Sequence, residues 1–134
     1  MMPSKPGEEG GAGVEFALVG GLFLMVVFGI LEFGLIWYSK GIIAHASREG
    51  ARYGVTYSTP HKTAADIQTQ VENYLRNMGF NNPVTVTITG AGGSTESPLS
   101  VKVDYAYTFL VLPAFVSNLG LTLNLSAETV MRLE

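Results

Sequence analysis

The sequence predicts an α+β fold: a long N-terminal transmembrane and stalk helix, a second amphipathic helix, and a small three-stranded antiparallel sheet. Three observations predict it. Side chains without any polar group run from Phe16 to Leu31. Apolar residues then recur at helical spacing, as Ile67, Val71, Tyr74, Leu75 and Met78. After these the period falls to two, in stretches that open at Val84, Leu99 and Leu121.

The first element is set by its length. Glu32 interrupts the apolar run, which resumes as FGLIWY and closes at Tyr38. Phe16 to Tyr38 is 23 residues, about 34 Å of helix at about 1.5 Å per residue. A bilayer core of about 30 Å is spanned by that length. Trp37 and Tyr38 stand where interfacial aromatics stand. A buried core helix is the alternative, but so short a chain cannot cover a rod that is apolar all round. A cleaved secretory signal has an apolar region of about 7 to 15 residues and a small-x-small site behind it. This run is longer, and no Ala-x-Ala follows it directly. The reading is therefore a retained anchor, whose helix continues to about Tyr53. By the positive-inside count, Lys5 against Lys40, Arg48 and Arg52 favours the C-terminal side as the inner one. Arg48 and Arg52 share one helix face, as a solvated face or a headgroup contact.

The second helix opens at Thr63, with Asp66 three residues on as a capping box. It closes at Gly79, a C-cap candidate. Its apolar face should be core, covering one face of the sheet. Val84, Val86 and Ile88 alternate with threonines as a first strand. Gly90 to Pro98 is a flexible hairpin loop. Leu99 to Phe109 is the second strand, Leu110 to Gly120 an apolar connector broken by Pro113, and Leu121 to Leu133 the third strand.

Composition limits the chemistry. Charged residues are 14 % of the chain, hydrophobic ones 47 %, and the mean hydropathy is +0.28. A formal charge of −3, with acidic and basic residues balanced from Ser39 onward, argues against nucleic acid as a partner. Without cysteine there is no disulfide, thiolate metal site or thiol nucleophile. His45 and His61 have no identifiable partners. Asp104 and Glu128 could face each other across strands, weak grounds for glycosidase chemistry. The loop at Gly90 lacks the Gly-Lys-Ser/Thr ending of a phosphate loop. No enzyme, cofactor, metal or small-molecule substrate is expected.

Four features of the rod suggest assembly. Met1 to Gly10 reads as a flexible leader. A cut between Gly10 and Gly11 leaves a new amine, positive near neutral pH, four residues from Glu15. That amine and the Glu15 carboxylate can pair between neighbouring helices; an interfacial Glu after a glycine-rich linker is the plainer alternative. Gly13, Ala17 and Gly21 form a stripe of small residues that lets helices approach closely in lipid. Ala46, Gly50 and Gly54 form a second stripe, to pack a partner or to dock the protein's own domain. Glu32, about 24 Å along the helix from Phe16, can reach the headgroups or pair with a cation on a partner helix.

The segment GVEFALVGGLFLMVVFGILEFGLIWYSKGIIAHASREGARYGV, Gly13 to Val55, resembles the start of TadE-like pseudopilins of the Tad (Flp, type IVc) pilus system. The resemblance is carried by Val14 to Leu18, by Glu32 to Gly34, and by Ala46, Arg48, Glu49, Gly50, Ala51, Arg52 and Tyr53. SAETVMRLE, Ser126 to Glu134, is also similar to the family's ending. The resemblance implies a pilin-like layout with residues 1–10 as leader, 11–57 as transmembrane and stalk helix, and 58–134 as an external domain. It implies prepilin-peptidase cleavage between Gly10 and Gly11, Glu15 as the assembly glutamate and Phe16 as its aromatic neighbour. The implied role is a minor pilin in a pilus for surface adhesion, with other pilins, the peptidase, the assembly platform and the bilayer as partners. The implied location is the bacterial cytoplasmic membrane, with the C-terminal domain outside, against the charge count. The alternative is a permanently anchored binding module that recruits a ligand or secretion partner.

Overall fold

A computed structural model describes residues 8–94, 96–112, 118–120 and 122–133. Its elements are α1 (Glu8–Val55), α2 (Ala64–Asn77), β1 (Val84–Thr89), β2 (Pro98–Tyr107) and β3 (Leu123–Arg132). The α+β arrangement expected from the sequence is the one observed, one long apolar helix, one short helix and one antiparallel sheet of order β1-β2-β3.

Helix α1 has 48 residues, about 72 Å of rod. It takes in the last residues of the expected leader, from Glu8, and ends at Val55 rather than at residue 57. Its two halves differ in what surrounds them. From Gly10 to Leu31 nearly every side chain is exposed. From Ile36 onward one stripe is covered: Ile43, Ala46, Ser47 and Ala51 are fully buried. Their spacing of three and four residues is that of a helix with one core-facing stripe.

That stripe lies across β2 and β3, while α2 packs against α1 and β1. The two helices therefore share the cover of one sheet face, which the sequence pattern expects of the second helix. In the register, Val86 opposes Val103 and Val103 opposes Ala127, so residues two apart on each strand meet on one face. Leu99, Val101 and Val103 form its buried centre. Threonines of β1, with Ser100, Lys102, Asp104, Asn124, Ser126 and Glu128, form the open face, whereas Thr129 is on the covered face and hydrogen-bonds Ser47 of α1.

The second stripe of small residues serves this contact. A Cβ on Gly54 would lie 2.5 Å from Leu99 Cδ2 and 2.6 Å from Ile67 Cδ1, and a Cβ on Gly50 would overlap Val71 Cγ2. Ala46, Gly50 and Gly54 thus dock the protein's own domain. Gly50→Ala is expected to lower the stability of the detergent-solubilised chain by about 1–3 kcal/mol through overpacking, measured by thermal unfolding.

Helix α2 has the expected N-terminal capping box, while its C-cap is Met78, one residue before the expected Gly79. Thr63 Oγ1 accepts from the Asp66 N–H at 3.2 Å, and the Thr63 N–H donates to Asp66 Oδ2 at 2.9 Å. The Thr63 N–H, and then the Thr63 hydroxyl that donates to the same oxygen at 2.7 Å, hold the Asp66 carboxyl below its ordinary range. The cap is therefore complete above the unfolded carboxyl pKa, and it is lost as pH falls through the lower folded value. Amide exchange at residues 64–66 should rise at that lower pH. At the other end Gly79, at φ +85°, sends its N–H to Arg76 O at 3.0 Å and Phe80 sends its own to Leu75 O at 3.0 Å. This is a Schellman closure, which needs a residue at positive φ. Met78 does not join the apolar face as expected; it is the C-cap and is 47 % exposed. Phe80 takes that place, with its ring edge-on to Tyr105 at 4.9 Å.

Strand β2 ends at Tyr107, two residues before the expected Phe109, because the chain turns there toward α1. Leu121, the expected start of the third strand, lies outside the described residues, as does Pro113 in the connector. The β1–β2 loop, expected to be flexible, is anchored on its C-terminal side: the Glu96 N–H donates to Leu133 O at 2.9 Å, and the Leu133 N–H donates to Ser97 O at 3.0 Å.

Candidate functional site

The functional candidates lie on α1, in two zones. In the first, Gly10, Gly11, Gly13, Glu15, Ala17 and Gly21 are all exposed. A Cβ at any of these four glycines would meet nothing within 4 Å. Phe16 is 80 % exposed and Phe23 65 %. Each large apolar side chain moved out of water is worth about 1.5–3 kcal/mol, so this half of the rod is built for apolar surroundings. It is the one described helix long and apolar enough to cross a membrane, and none of its most apolar stretch is buried. It is compatible with a single-pass membrane anchor. Gly10 and Gly11 lie inside the helix, in its first turn, rather than in a linker before it.

The second zone is centred on Glu32. The sequence reading sent this carboxylate to headgroups or to a cation on a partner helix. The structure places it elsewhere. Glu32 is 3 % exposed and is surrounded by donors from its own chain. Tyr107 Oη donates to Oε1 at 2.7 Å and the Leu110 N–H to the same oxygen at 3.1 Å. The Val111 and Leu112 N–H groups donate to Oε2 at 2.7 and 3.3 Å. The physical reason is the helical period. Glu32 precedes Gly50 by five turns of about 3.6 residues, so it falls on the same stripe that packs the sheet. The turn after β2 reaches this stripe with three consecutive amides that have no strand partner, and a carboxylate can accept all of them.

Neighbouring contacts fix this turn. The Tyr107 phenol is pushed up from its ordinary pKa, first by burial and then by donating to Glu32, so it stays a donor at all ordinary pH. Its ring meets Phe109 edge-on at 5.6 Å. Asn82 Nδ2 donates to Tyr105 Oη at 3.2 Å and to Thr108 Oγ1 at 3.0 Å, joining the chain before β1 to the end of β2. Leu35, Tyr38, Phe80, Phe109 and Leu110 are among the residues that border an open groove of about 420 Å³ beside the clasp.

Other candidates do not come together. Asp104 opposes Ser126 and Glu128 opposes Lys102 in the β2–β3 register, so the two carboxylates are not a facing pair. Ser100 Oγ donates to Glu128 at 2.6 Å, and Lys102 lies 3.6 Å from Asp104. Arg52 pairs with Glu49 at 2.7 Å on an exposed face, and Arg48 is exposed beside it. His45 and His61 are exposed. Among the described residues no group of three or more His, Cys, Asp or Glu side chains is placed to hold a metal ion.

The Glu32 clasp is hidden in the sequence because three of its four donors are backbone amides, which carry no residue signature, and the fourth, Tyr107, reads as one more alternating strand residue. The one available signal was the position of Glu32 on the helical stripe of Ile36, Ser39 and Ile43.

Compared with known families, residues 10–52 match a family described as TadE-like protein. The match covers the exposed half of α1, Glu32 and most of the docking stripe. No curated protein and no solved structure matches the chain.

Proposed function

Starting from a TadE-like segment over residues 10–52, we propose that this chain is a minor pilin or pseudopilin of a Tad pilus, acting in assembly of a fibre for surface adhesion. The match associates the chain with that pilus system in general. The finer reading rests on one observation: an apolar half-rod left bare by the fold, carrying a folded domain at its other end.

In this reading the precursor sits in the cytoplasmic membrane with residues 1–10 inside and the domain outside. Prepilin peptidase cuts between Gly10 and Gly11. The new amine and Glu15 then pair between adjacent rods, and Phe16 packs beside them. Gly13, Ala17 and Gly21 offer a face on which another helix backbone can approach closely. The chemistry is an exchange of solvent, in which lipid contacts along the rod are replaced by helix contacts within the assembly platform or the fibre. The covalent step belongs to the peptidase, and this chain is its substrate.

The alternative, a permanently anchored external binding module, is favoured by the continuity of α1 through Gly10 and Gly11. Mass spectrometry of the mature N-terminus, with a count of this subunit in purified native fibres, separates the two. A chain that starts at Gly11 and is present in fibres is the expected result. An intact leader on a chain absent from fibres overturns it in favour of the anchor.

A further inference from the structure

We infer that the apolar turn after β2, at Leu110 to Leu112, is a second membrane contact, inserted into the hydrocarbon of the leaflet on the domain's side and held there by Glu32. This rests on the reading of α1 as a membrane anchor and adds a surface to it.

If the hydrocarbon begins at Phe16, about 30 Å of it is crossed in about 20 residues, near Ile36. Trp37 and Tyr38 follow immediately, 69 % and 62 % exposed, as boundary aromatics. Glu32 lies four residues inside that limit, about 6 Å below it. The amides of Leu110, Val111 and Leu112 are bonded to its carboxylate, so the turn lies at that same depth.

Irregular backbone is tolerated at such depth only where its polar groups are satisfied within the protein. A carboxylate there is costly unless it is paired or hydrogen-bonded. The clasp meets both needs at once, since the amides of the turn find an acceptor and the carboxylate finds four donors. The side chains of the turn complete the argument. Leu110 is 72 % exposed, although its own amide is bonded inward, and Phe33 on the adjoining rod is 66 % exposed. Leu110, Phe109 and Leu35 border the same groove, so apolar side chains of the turn and of the span stand side by side there. Water is a poor solvent for this surface, and at this level the rod is surrounded by acyl chains.

The chain has no native cysteine, so single cysteines report cleanly. Leu110→Cys, Phe23→Cys and Thr87→Cys are each labelled with a polarity-sensitive nitrobenzoxadiazole dye. The full-length protein is then reconstituted in vesicles of phosphatidylethanolamine and phosphatidylglycerol. Dye at 110 points outward and leaves the backbone clasp intact. The expected result is that position 110 behaves like position 23: blue-shifted, quenched by doxyl-labelled lipid and poorly reached by aqueous iodide. Thr87, on the open face of the sheet, should show the reverse. Glu32→Ala should lower lipid quenching at 110 about twofold or more, since the turn then has bare amides to expose to water. Iodide quenching at 110 equal to that at 87, with 23 still lipid-quenched, overturns the insertion and leaves the anchor standing. Iodide quenching at 23 overturns the anchor and the insertion together.

Discussion

Glu32→Ala is expected to lower the stability of the detergent-solubilised chain by about 2–4 kcal/mol, the cost of leaving buried donors without an acceptor. Thermal unfolding followed by circular dichroism measures it. Four donors lose their partner in this variant: the Tyr107 hydroxyl and the amides of Leu110, Val111 and Leu112. The turn is also released from α1, so proteolysis after Phe109 or Leu110 should become faster than in the parent. Tyr107→Phe removes one of the four bonds and leaves the amides bonded; its cost should be smaller, about 1–2 kcal/mol. An unchanged melting temperature for Glu32→Ala would show that the clasp contributes nothing. The comparison with Tyr107→Phe distinguishes a loss of the whole network from the loss of one phenol.

Glu15→Ala acts at the other end of the rod and should leave the isolated protein unaltered, since Glu15 is exposed among the described residues. Under the proposed function its effect belongs to assembly. Cleavage after Gly10 should survive, while incorporation into fibres falls about tenfold or more. Such a fall corresponds to about 1.4 kcal/mol, well within what a paired charge loses when its partner is removed in an apolar setting. Immunoblots of sheared fibres against cell-bound protein measure the ratio. Incorporation at parental levels would defeat the pairing of amine and carboxylate, while a failure of cleavage would place Glu15 in recognition by the peptidase instead.

Much of this architecture was legible because it is periodic. The bare rod, the α2 face at Ile67, Val71 and Leu75, the Thr63–Asp66 box and the alternation of β1 each repeat at the spacing of their backbone. The Ala46–Gly50–Gly54 stripe was legible as a close approach, but its partner was not. Small residues mark where a neighbour comes near and are silent on whether that neighbour is Leu99 and Val71 of the same chain or another protein. Glu32 was least legible. A carboxylate in an apolar run demands donors, and the sequence shows cations readily but backbone amides not at all. The turn that supplies them became visible only when Tyr107 ended β2 and directed the chain back to α1. Met78 failed for a local reason: the helical period reached it, but the Gly79 closure had already turned the helix end outward.

The account as a whole depends on α1 having two environments along one continuous rod, apolar before Glu32 and aqueous beyond Tyr38. The most direct test is external protease added to spheroplasts of cells that produce the full-length chain, with the membrane and soluble fractions separated first. The account predicts that the chain is in the membrane fraction and that the protease removes the domain, leaving a short membrane-held fragment of α1. A chain found in the soluble fraction, or a domain degraded only after the membrane is opened, would contradict it.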